Sequence, residues 1–427
     1  MSGTTIHPSI ARSDREPAVR RNTALLAAAQ GFAQLTFPVL LVAGTVAATE
    51  LSGRRSASGL VWAVYFGVAA VAAPVFGRWM DRVGRRPGIL LALGLTGLAG
   101  AGCAAAVIAG SFPLLMLAVV PFGMGYAGVN LTRAAVGDMY PQDRRARAVG
   151  ILLACGTVGA VGSPLLVAIL QGVASDQRAS DLLPWAVVPI GASVAAGFVL
   201  RVRPDPRDLA VAAAHEPDAP ADARTPRQLL SVSAFRTAIL AAAVGQIAMV
   251  GVMGVTPAAL HHLGHGDATI AWIISLHIGG MFAFSPLIGA AMDRWGRRSG
   301  LVAGCAASLI GALLAGTGGS ALVVGAGLFA LGLGWSATFL GATAVISDVT
   351  APTERAGALG LTDLVVSGCS AAAGLVSAAL LATAGYRALG VATAALVTGV
   401  LVIVMRMRPV ARDGLVAPAP GVEPARD

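Results

Sequence analysis

Two ionisable residues, Arg133 and Asp363, lie inside long apolar stretches of this chain of 427 residues. An isolated charge in a low-dielectric interior is costly, so each should have a charged partner or face a water-filled cavity. A carboxyl group at such depth can also bind and release a proton, which makes Asp363 a candidate proton-coupling site. His277 lies in another apolar stretch and is a second candidate, because the reference pKa of histidine is about 6.5. A histidine that only packs between helices explains it equally well.

A charged segment with the pattern Gly…Asp-Arg-x-Gly-Arg-Arg occurs twice, at residues 77–86 and 289–298. We call these segments the charged cassettes. The separation of the two cassettes is almost half the length of the chain. Each cassette ends one long apolar run and precedes another, so each is predicted to form a tight hairpin between two membrane helices. Two similar halves that carry the same hairpin are typical of secondary transporters.

The composition indicates a membrane protein. Hydrophobic residues make up 56% of the chain, charged residues 12%, and the mean hydropathy is +0.77. A soluble chain of this length could not bury so much apolar surface. We predict twelve membrane spans of about 20 residues each. Their centres are expected near Val39, Gly67, Gly100, Phe122, Gly159, Gly191, Ala248, Gly279, Ile310, Gly327, Val376 and Ala395.

The distribution of arginine predicts the orientation, because the chain contains no lysine. Of its 30 basic residues, 25 fall on one side of the predicted spans, four fall on the other, and Arg133 lies within a span. Positive residues mark the cytoplasmic side, so both tails, the central linker and the cassettes are expected there. This topology accounts for the net charge of +9, and nucleic acid is not an expected partner. The N-terminus lacks the pattern of a secretory signal, and the composition suggests a bacterial cytoplasmic (inner) membrane.

Five parts are predicted along the chain, and a repeat relates the two long ones. They are a cytoplasmic tail (1–22), a six-helix lobe (23–202), a cytoplasmic linker rich in Asp, Pro, Ala and Arg (203–232), a second six-helix lobe (233–407) and a cytoplasmic tail (408–427). Further matches at nearly the same offset as the cassettes support the duplication. These are the segment 145–150 with 355–360, Asp138 with Asp348, Gln34 with Gln246, and Tyr65 with His277.

These features resemble the major facilitator superfamily of secondary transporters over essentially the whole chain. The cassettes are similar to the signature that this family carries between its second and third helices, and to its echo between the eighth and ninth. The resemblance implies an all-α integral membrane fold, with twelve helices in two pseudo-symmetric six-helix lobes around a central cavity. It also implies transport of a small molecule by alternating access, with protons as the expected coupling ion. We expect a monomer in the lipid bilayer, with no cofactor, no metal and no enzymatic activity.

The resemblance further implies that the cassettes, with an acidic residue at the inner end of helix four, latch the cytoplasmic side of the two lobes. Charges that only fix topology and anchor lipid headgroups are the alternative. The expected latch residues are Gly77, Asp81, Arg82, Gly84, Arg85, Arg86, Asp138, Gly289, Asp293, Arg294, Gly296, Arg297, Arg298 and Asp348.

In the resembled fold the inner halves of helices four and eleven face each other across the lobes. We therefore predict an Arg133–Asp363 pair that serves as an inner gate, with pairing inside each lobe as the alternative. Polar residues at mid-depth on the cavity helices are the predicted substrate contacts, although each alone could be a helix–helix hydrogen bond. They are Gln30, Gln34, Tyr65, Tyr126, Asn130, Gln246, His277 and Trp335.

The direction of transport is only weakly indicated. The helix-four position where many proton-coupled exporters carry an arginine holds Val119, and helix one lacks a mid-membrane acid. A loose likeness to the exporters' antiporter signature remains at Gly156, Gly159, Gly162 and Pro164, so efflux is slightly favoured over uptake. A non-transporting membrane sensor is a third reading. His261, His262 and His265 are too loosely spaced to predict a metal site.

Overall fold

The computed structural model describes residues 12–53, 57–172, 175–214, 224–262 and 267–407, and it has a helix at each of the twelve predicted positions. Ten helical stretches in this part of the chain are long and apolar enough to cross a membrane. The other two predicted spans coincide with the helices that cover 12–52 and 142–172. The prediction of an all-α membrane fold is therefore confirmed.

The N-terminal half contains spans 1 to 6. Span 1 consists of Arg12–Ala33, Thr36–Val39, a π-helical turn Leu40–Gly44, and Thr45–Ser52. The next five spans are Ala57–Val83, Arg85–Ile108, Phe112–Asn130 with Thr132–Met139, Gln142–Gly172, and Gln177–Val199.

The C-terminal half repeats this arrangement after two short linker helices, Pro206–Ala214 and Pro226–Ser231. Spans 7 to 10 are Ser233–His262, Asp267–Phe282 with Ser285–Trp295, Arg297–Gly316, and Ala321–Asp348. Spans 11 and 12 form the stretch Arg355–Met405, which is interrupted by Gly385 at φ 81° and ψ 175°. Because a φ of this sign is strained for other residues, glycine allows the chain to turn between the two spans.

Each cassette forms the expected tight turn between two spans. Gly84 has φ 116° and Gly296 has φ 94°, conformations that favour glycine. A Cβ added at Gly77 would collide with the backbone carbonyl of Ala356, and one added at Gly289 would collide with that of Ala146. These two glycines therefore let span 2 approach span 11, and span 8 approach span 5, at the end of the molecule that carries the cassettes.

Two elements add detail to the sequence prediction. The first helix begins at Arg12, about three turns before the predicted start of the lobe at Thr23. The linker, which is predicted from its composition alone, contains the helix Pro206–Ala214, in which Leu209 is fully buried. An amphipathic stretch of two to three turns can form a helix when a neighbouring surface covers its apolar side, and this depends on tertiary packing more than on composition.

Candidate functional site

Arg133 and Asp363 form a buried ion pair between the two lobes. The distance between Arg133 Nη2 and Asp363 Oδ1 is 2.6 Å, and the two side chains are 2% and 6% exposed. Arg133 follows a break in span 4 at Leu131, and Asp363 lies two turns into span 11. Of the two arrangements considered for these charges, the structure contains the pair across the lobes.

Neutral groups complete the surroundings of this pair. Asn130 Nδ2 donates to Asp363 Oδ2 at 3.3 Å, and Arg133 Nη1 donates to the carbonyl of Asn130 at 3.2 Å. The guanidinium lies 4.7 Å from the centroid of the Phe339 ring of span 10, within the range of a cation–π interaction. Arg133 Nε has no hydrogen-bond partner among the described residues. Among the described residues, Asp363 is therefore the only charged group that pairs with Arg133.

Next to this pair, the C-terminal lobe contains a hydrogen-bonded cluster of buried side chains. Trp335 Nε1 donates to Gln246 Oε1 at 2.6 Å, and Gln246 Nε2 donates to Ser370 Oγ at 3.0 Å. The Trp335 ring stacks on Phe339 with centroids 5.1 Å apart, and Phe282 contacts it edge-on at 5.6 Å. The predicted cavity residues Gln246 and Trp335 are thus held together and connected through Phe339 to Arg133.

The N-terminal lobe contains an aromatic cluster on spans 2 and 4. The Tyr65 ring lies 5.2 Å from that of Tyr126 and 5.1 Å from that of Phe66. Tyr65, Tyr126 and Gln34 line a narrow crevice within this lobe. The side chains of Gln30 and Gln34 face Gly156 of span 5, since a Cβ added there would lie 3.7 Å from Gln30 Cγ and 3.1 Å from Gln34 Cγ.

His277 has a different environment from the other predicted cavity residues. It is fully buried inside the C-terminal lobe, and its Nδ1 lies 2.7 Å from the carbonyl oxygen of Leu328 in span 10. Its Nε2 has no hydrogen-bond partner in the part of the chain that the structure describes. These contacts are those of a packing histidine. A role in proton transfer or in the cavity stays a prediction.

A network of charges joins the lobes at the first cassette. Arg85 is fully buried, with Nη1 2.6 Å from Asp81 Oδ1 and Nε 2.8 Å from Asp138 Oδ2. Its Nη2 donates at 2.7 Å to the carbonyl of Pro352, in the loop before span 11. One arginine of the cassette therefore binds two carboxylates of its own lobe and a backbone oxygen of the other lobe.

The same network continues into span 11. Arg355 Nη1 forms an ion pair with Asp138 across the lobes. Asp81 accepts hydrogen bonds from the backbone N–H groups of Ala356 at 3.0 Å and Gly357 at 2.6 Å. A carboxylate in this position satisfies free N–H groups at the helix start and interacts favourably with its dipole.

The second cassette repeats this arrangement on the other side of the interface. Arg297 pairs with Asp293 and, through Nε at 3.1 Å, with Asp348. Arg145 of the N-terminal lobe pairs with Asp348, whose carboxylate also accepts from Gln142 Nε2 at 3.1 Å. The two networks thus follow the internal repeat of the sequence.

Four predicted latch arginines remain: Arg82 and Arg294 are exposed, and Arg86 and Arg298 bind helix ends. Arg86 Nη2 donates to the carbonyl of Leu200 at 2.9 Å, and Arg298 donates to that of Met405. Both carbonyls lie where the last span of a lobe ends, so these arginines bind the free carbonyls and complement the helix dipole.

Sequence reasoning missed two acidic residues around the linker. Asp205 accepts from the backbone N–H groups of Arg85 at 3.0 Å and Arg86 at 2.9 Å, at the start of span 3. Glu354 is 6% exposed and pairs with Arg224 at the end of the linker. Neither residue has an acidic counterpart in the repeat, and an Asp in a Pro-rich segment is ordinary, so no sequence signal distinguished them.

No group of three or more His, Cys, Asp or Glu side chains in the described ranges could hold a metal ion. The outer histidines fall outside the described side chains. The four cysteines are free, and Cys103 and Cys305 are buried.

Two pseudo-symmetric six-helix lobes, joined by buried charges at one end, define the class of a secondary membrane transporter. The model of a family described as Major Facilitator Superfamily matches residues 23–266 and 238–426. The chain belongs to the major facilitator superfamily and is a multi-pass membrane transporter of a small solute.

Relatives and a solved structure agree with this assignment. The chain is 30% identical over 366 residues to the uncharacterized MFS-type transporter YddS of Bacillus subtilis, covering 83% of this chain and 84% of the relative. It is 29% identical over 400 residues to the riboflavin transporter RfnT of Brucella anthropi, covering 92% and 97%. The fold is similar to the crystal structure of the human organic anion transporter MFSD10, with a TM-score of 0.73 at 18% identity and coverage of 90% and 99%.

Proposed function

We propose that this protein is a proton-coupled transporter that moves a small organic solute by alternating access, with Asp363 as the proton site. The observation that carries the proposal is the buried Arg133–Asp363 pair, which joins the lobes with side chains 2% and 6% exposed. A buried carboxylate that loses its charge no longer attracts its partner, so a proton on Asp363 weakens this connection. A ligand shifts a conformational equilibrium by its differential affinity for the two states, and here the proton is that ligand.

The cassette networks supply the second part of the mechanism. They hold the lobes together at the cassette end, which the arginine distribution assigns to the cytoplasm of a bacterial cell. Both networks contain ion pairs that cross between the lobes, Arg355–Asp138 and Arg145–Asp348. Opening toward the cytoplasm has to separate these pairs, so they act as the latch of the closed state.

The solute site comprises neutral polar and aromatic groups from both lobes. Gln246 and Trp335 of the C-terminal lobe are the best candidates, with Tyr126 and Asn130 opposite. Amide and indole groups bind a neutral or zwitterionic solute without the desolvation penalty of an additional charge. The substrate class is therefore an uncharged or zwitterionic organic molecule with an apolar face.

We favour export because Gly156, Gly159, Gly162 and Pro164 of span 5 are loosely similar to the antiporter signature of exporters. That segment also has a packing role, because a Cβ at Gly159 would collide with the carbonyl of Gly31. Uptake of a metabolite is the second candidate, favoured by the 29% identity with a riboflavin transporter over most of both chains. Cells that express the protein should contain less of the transported solute in the first case and more in the second.

A thermal-shift screen of the purified protein against small organic solutes, with riboflavin as the first probe, tests for a bound solute. Flux of a stabilising solute into proteoliposomes, with and without an imposed pH gradient, then tests the coupling. Asp363→Asn should abolish accumulation against a gradient and leave binding measurable. Asp143→Asn is the matched control, since Asp143 is 68% exposed. Full concentrative transport by Asp363→Asn would remove this residue from the mechanism.

A further inference from the structure

Phe339 lies between Trp335 of the proposed solute site and the Arg133–Asp363 ion pair, where its ring contacts the Arg133 guanidinium. The distance from the guanidinium carbon to the ring centroid is 4.7 Å, and both side chains are buried. Phe339 belongs to span 10, whereas Arg133 belongs to span 4, so this contact also crosses between the lobes. It is independent of Asp363, which approaches the guanidinium from span 11.

The Phe339 ring is also held in place by contacts within its own lobe. It stacks on Trp335 at 5.1 Å with an interplanar angle of 11°. Trp335 is in turn oriented by its hydrogen bond to Gln246 at 2.6 Å and by the edge of Phe282. A ring fixed in this way presents a stable negative face to the cation.

Protonation of Asp363 changes which contacts of Arg133 remain. The charged attraction is lost, while Nη1 keeps the carbonyl of Asn130, which lies on its own span. Of the described contacts between the guanidinium and the other lobe, a weaker hydrogen bond to the neutral carboxyl and the Phe339 ring then remain, and only the ring contact gains strength from the unpaired charge. The ring also attracts an unpaired guanidinium more strongly than an ion pair, because the carboxylate charge opposes that of the cation.

The other groups that face this site do not substitute for the ring. Tyr126 of span 4 is within electrostatic range of Asp363 and Arg133, and Tyr65 of span 2 contacts Tyr126. Both belong to the same lobe as Arg133 and cannot connect it to the opposite one. Toward the cassette end, the next charged residues on spans 4 and 11 are Asp138 and Arg355, which pair with each other.

We propose that Phe339 is a positioning residue that holds Arg133 to the C-terminal lobe while Asp363 is protonated, so that the proton-loaded protein opens at the cassette end less often than it would without the ring. The inference rests on the proposed function, in which Asp363 is the proton site. The inference predicts that loss of the Phe339 ring increases opening at the cassette end most when the Asp363 carboxyl group is neutral.

The test uses a solute-independent reporter of opening at the cassette end. Ser347 is 1% exposed and lies at the interface, since a Cβ added to Gly137 of span 4 would be 3.7 Å from its Oγ. Ser347→Cys is placed in a full-length chain whose four native cysteines are replaced, and the purified protein is kept in lipid nanodiscs. The rate of maleimide labelling at fixed pH then measures how often the lobes separate.

Four variants form a cycle: the reporter alone, Phe339→Leu, Asp363→Asn as the mimic of the protonated acid, and the two changes combined. Phe339→Leu should change the labelling rate less than about twofold when Asp363 is present. In the Asp363→Asn background it should raise the rate about tenfold, as expected for a desolvated cation–π contact. Phe339→Tyr should behave like the native ring in both backgrounds. Phe339→Met replaces Phe339→Leu if the latter does not fold.

Phe329→Leu is the matched control, because Phe329 is on the same span and packs on Phe284 instead. Equal effects of Phe339→Leu in both backgrounds, or no effect in either, would overturn the inference and leave Phe339 as a packing residue. If Asp363→Asn alone leaves labelling unchanged, the proposed proton gate itself is wrong. A failure of the inference about Phe339 can therefore be distinguished from a failure of the proposed proton gate.

Discussion

Asp81 and Asp293 occupy the same position in the two cassettes, and each carboxylate accepts hydrogen bonds from two consecutive backbone N–H groups of the opposite lobe. Asp81 binds those of Ala356 and Gly357, and Asp293 binds those of Ala146 and Arg147 at 3.2 and 2.8 Å. Each cassette thus connects its own lobe to a helix of the other lobe, and the chain has two such connections because the cassette is duplicated. Opening at this end has to break both copies.

Asp138→Asn should destabilise the closed state more than any change of an exposed acid. Asp138 pairs with Arg85 and Arg355, so its loss leaves two buried guanidinium groups without their shared carboxylate. Breaking a buried pair typically costs about 3–5 kcal/mol. A large fall in thermal stability, together with faster labelling of the Ser347→Cys reporter, is the expected result. A variant as stable and as slowly labelled as Asp143→Asn would contradict the latch.

The Arg133–Asp363 pair predicts a coupling energy that a double-mutant cycle can measure. Each single change leaves the other buried ion without its partner of opposite charge. Arg133→Asp and Asp363→Arg should therefore both impair transport and stability. The exchanged double variant restores a pair of reversed sign and should recover part of each loss. Residues in contact couple by about 0.5–3 kcal/mol, and we expect about 1 kcal/mol or more here. Zero coupling with both singles impaired would mean that the two residues act separately.

The duplication explains why much of the fold could be predicted. A charged hairpin between apolar runs is a strong local signal, and its recurrence almost half a chain later placed both halves in register. The partners Asp138 and Asp348 followed from the same repeat. Membrane helices that are apolar on every side carry no such signal about which side faces a cavity, so His277 could not be distinguished from a packing residue.

The contacts of the linker could not be predicted, because they break the repeat. Asp205 binds the start of span 3, while the equivalent region after span 12 begins with Arg408-Pro409-Val410 and has no acid there. Glu354 corresponds to Arg144 when the segments 145–150 and 355–360 are aligned. Phe339 was missed for a related reason, since an aromatic residue in an apolar span has no sequence feature that indicates a cation beside it.

Labelling of single cysteines can test the orientation of the chain. Cysteines placed at Ser13, Ala212 and Ala417, in a background without native cysteines, should resist an impermeant thiol reagent in intact cells. The positive-inside distribution assigns all three positions to the cytoplasm. The same variants should label after the membrane is permeabilised, which controls for access. Labelling of any of the three in intact cells would overturn the proposed topology.

The Arg224–Glu354 pair predicts a pH-dependent attachment of the linker to the C-terminal lobe. Burial alone would raise the pKa of Glu354, but hydrogen bonds from the side chain and backbone of Arg224, and its charge, hold that pKa below its usual range. A carboxyl group whose pKa is lower in the folded state stabilises it above its unfolded pKa of about 4.3, and this contribution disappears as the pH falls through the folded value.

Glu354→Gln should therefore lower thermal stability at pH 7, where the native pair is charged, by about 1 kcal/mol for a partly exposed contact. The difference from the native protein should shrink as the pH is lowered below about 4, because the native carboxyl is then protonated as well. Thermal unfolding of the purified protein across this pH range measures both effects. Glu16→Gln is the control, since Glu16 pairs with Arg20 at a site where both side chains are at least 70% exposed. A Glu354→Gln variant that matches this control at pH 7 would show that the linker is not held by the pair.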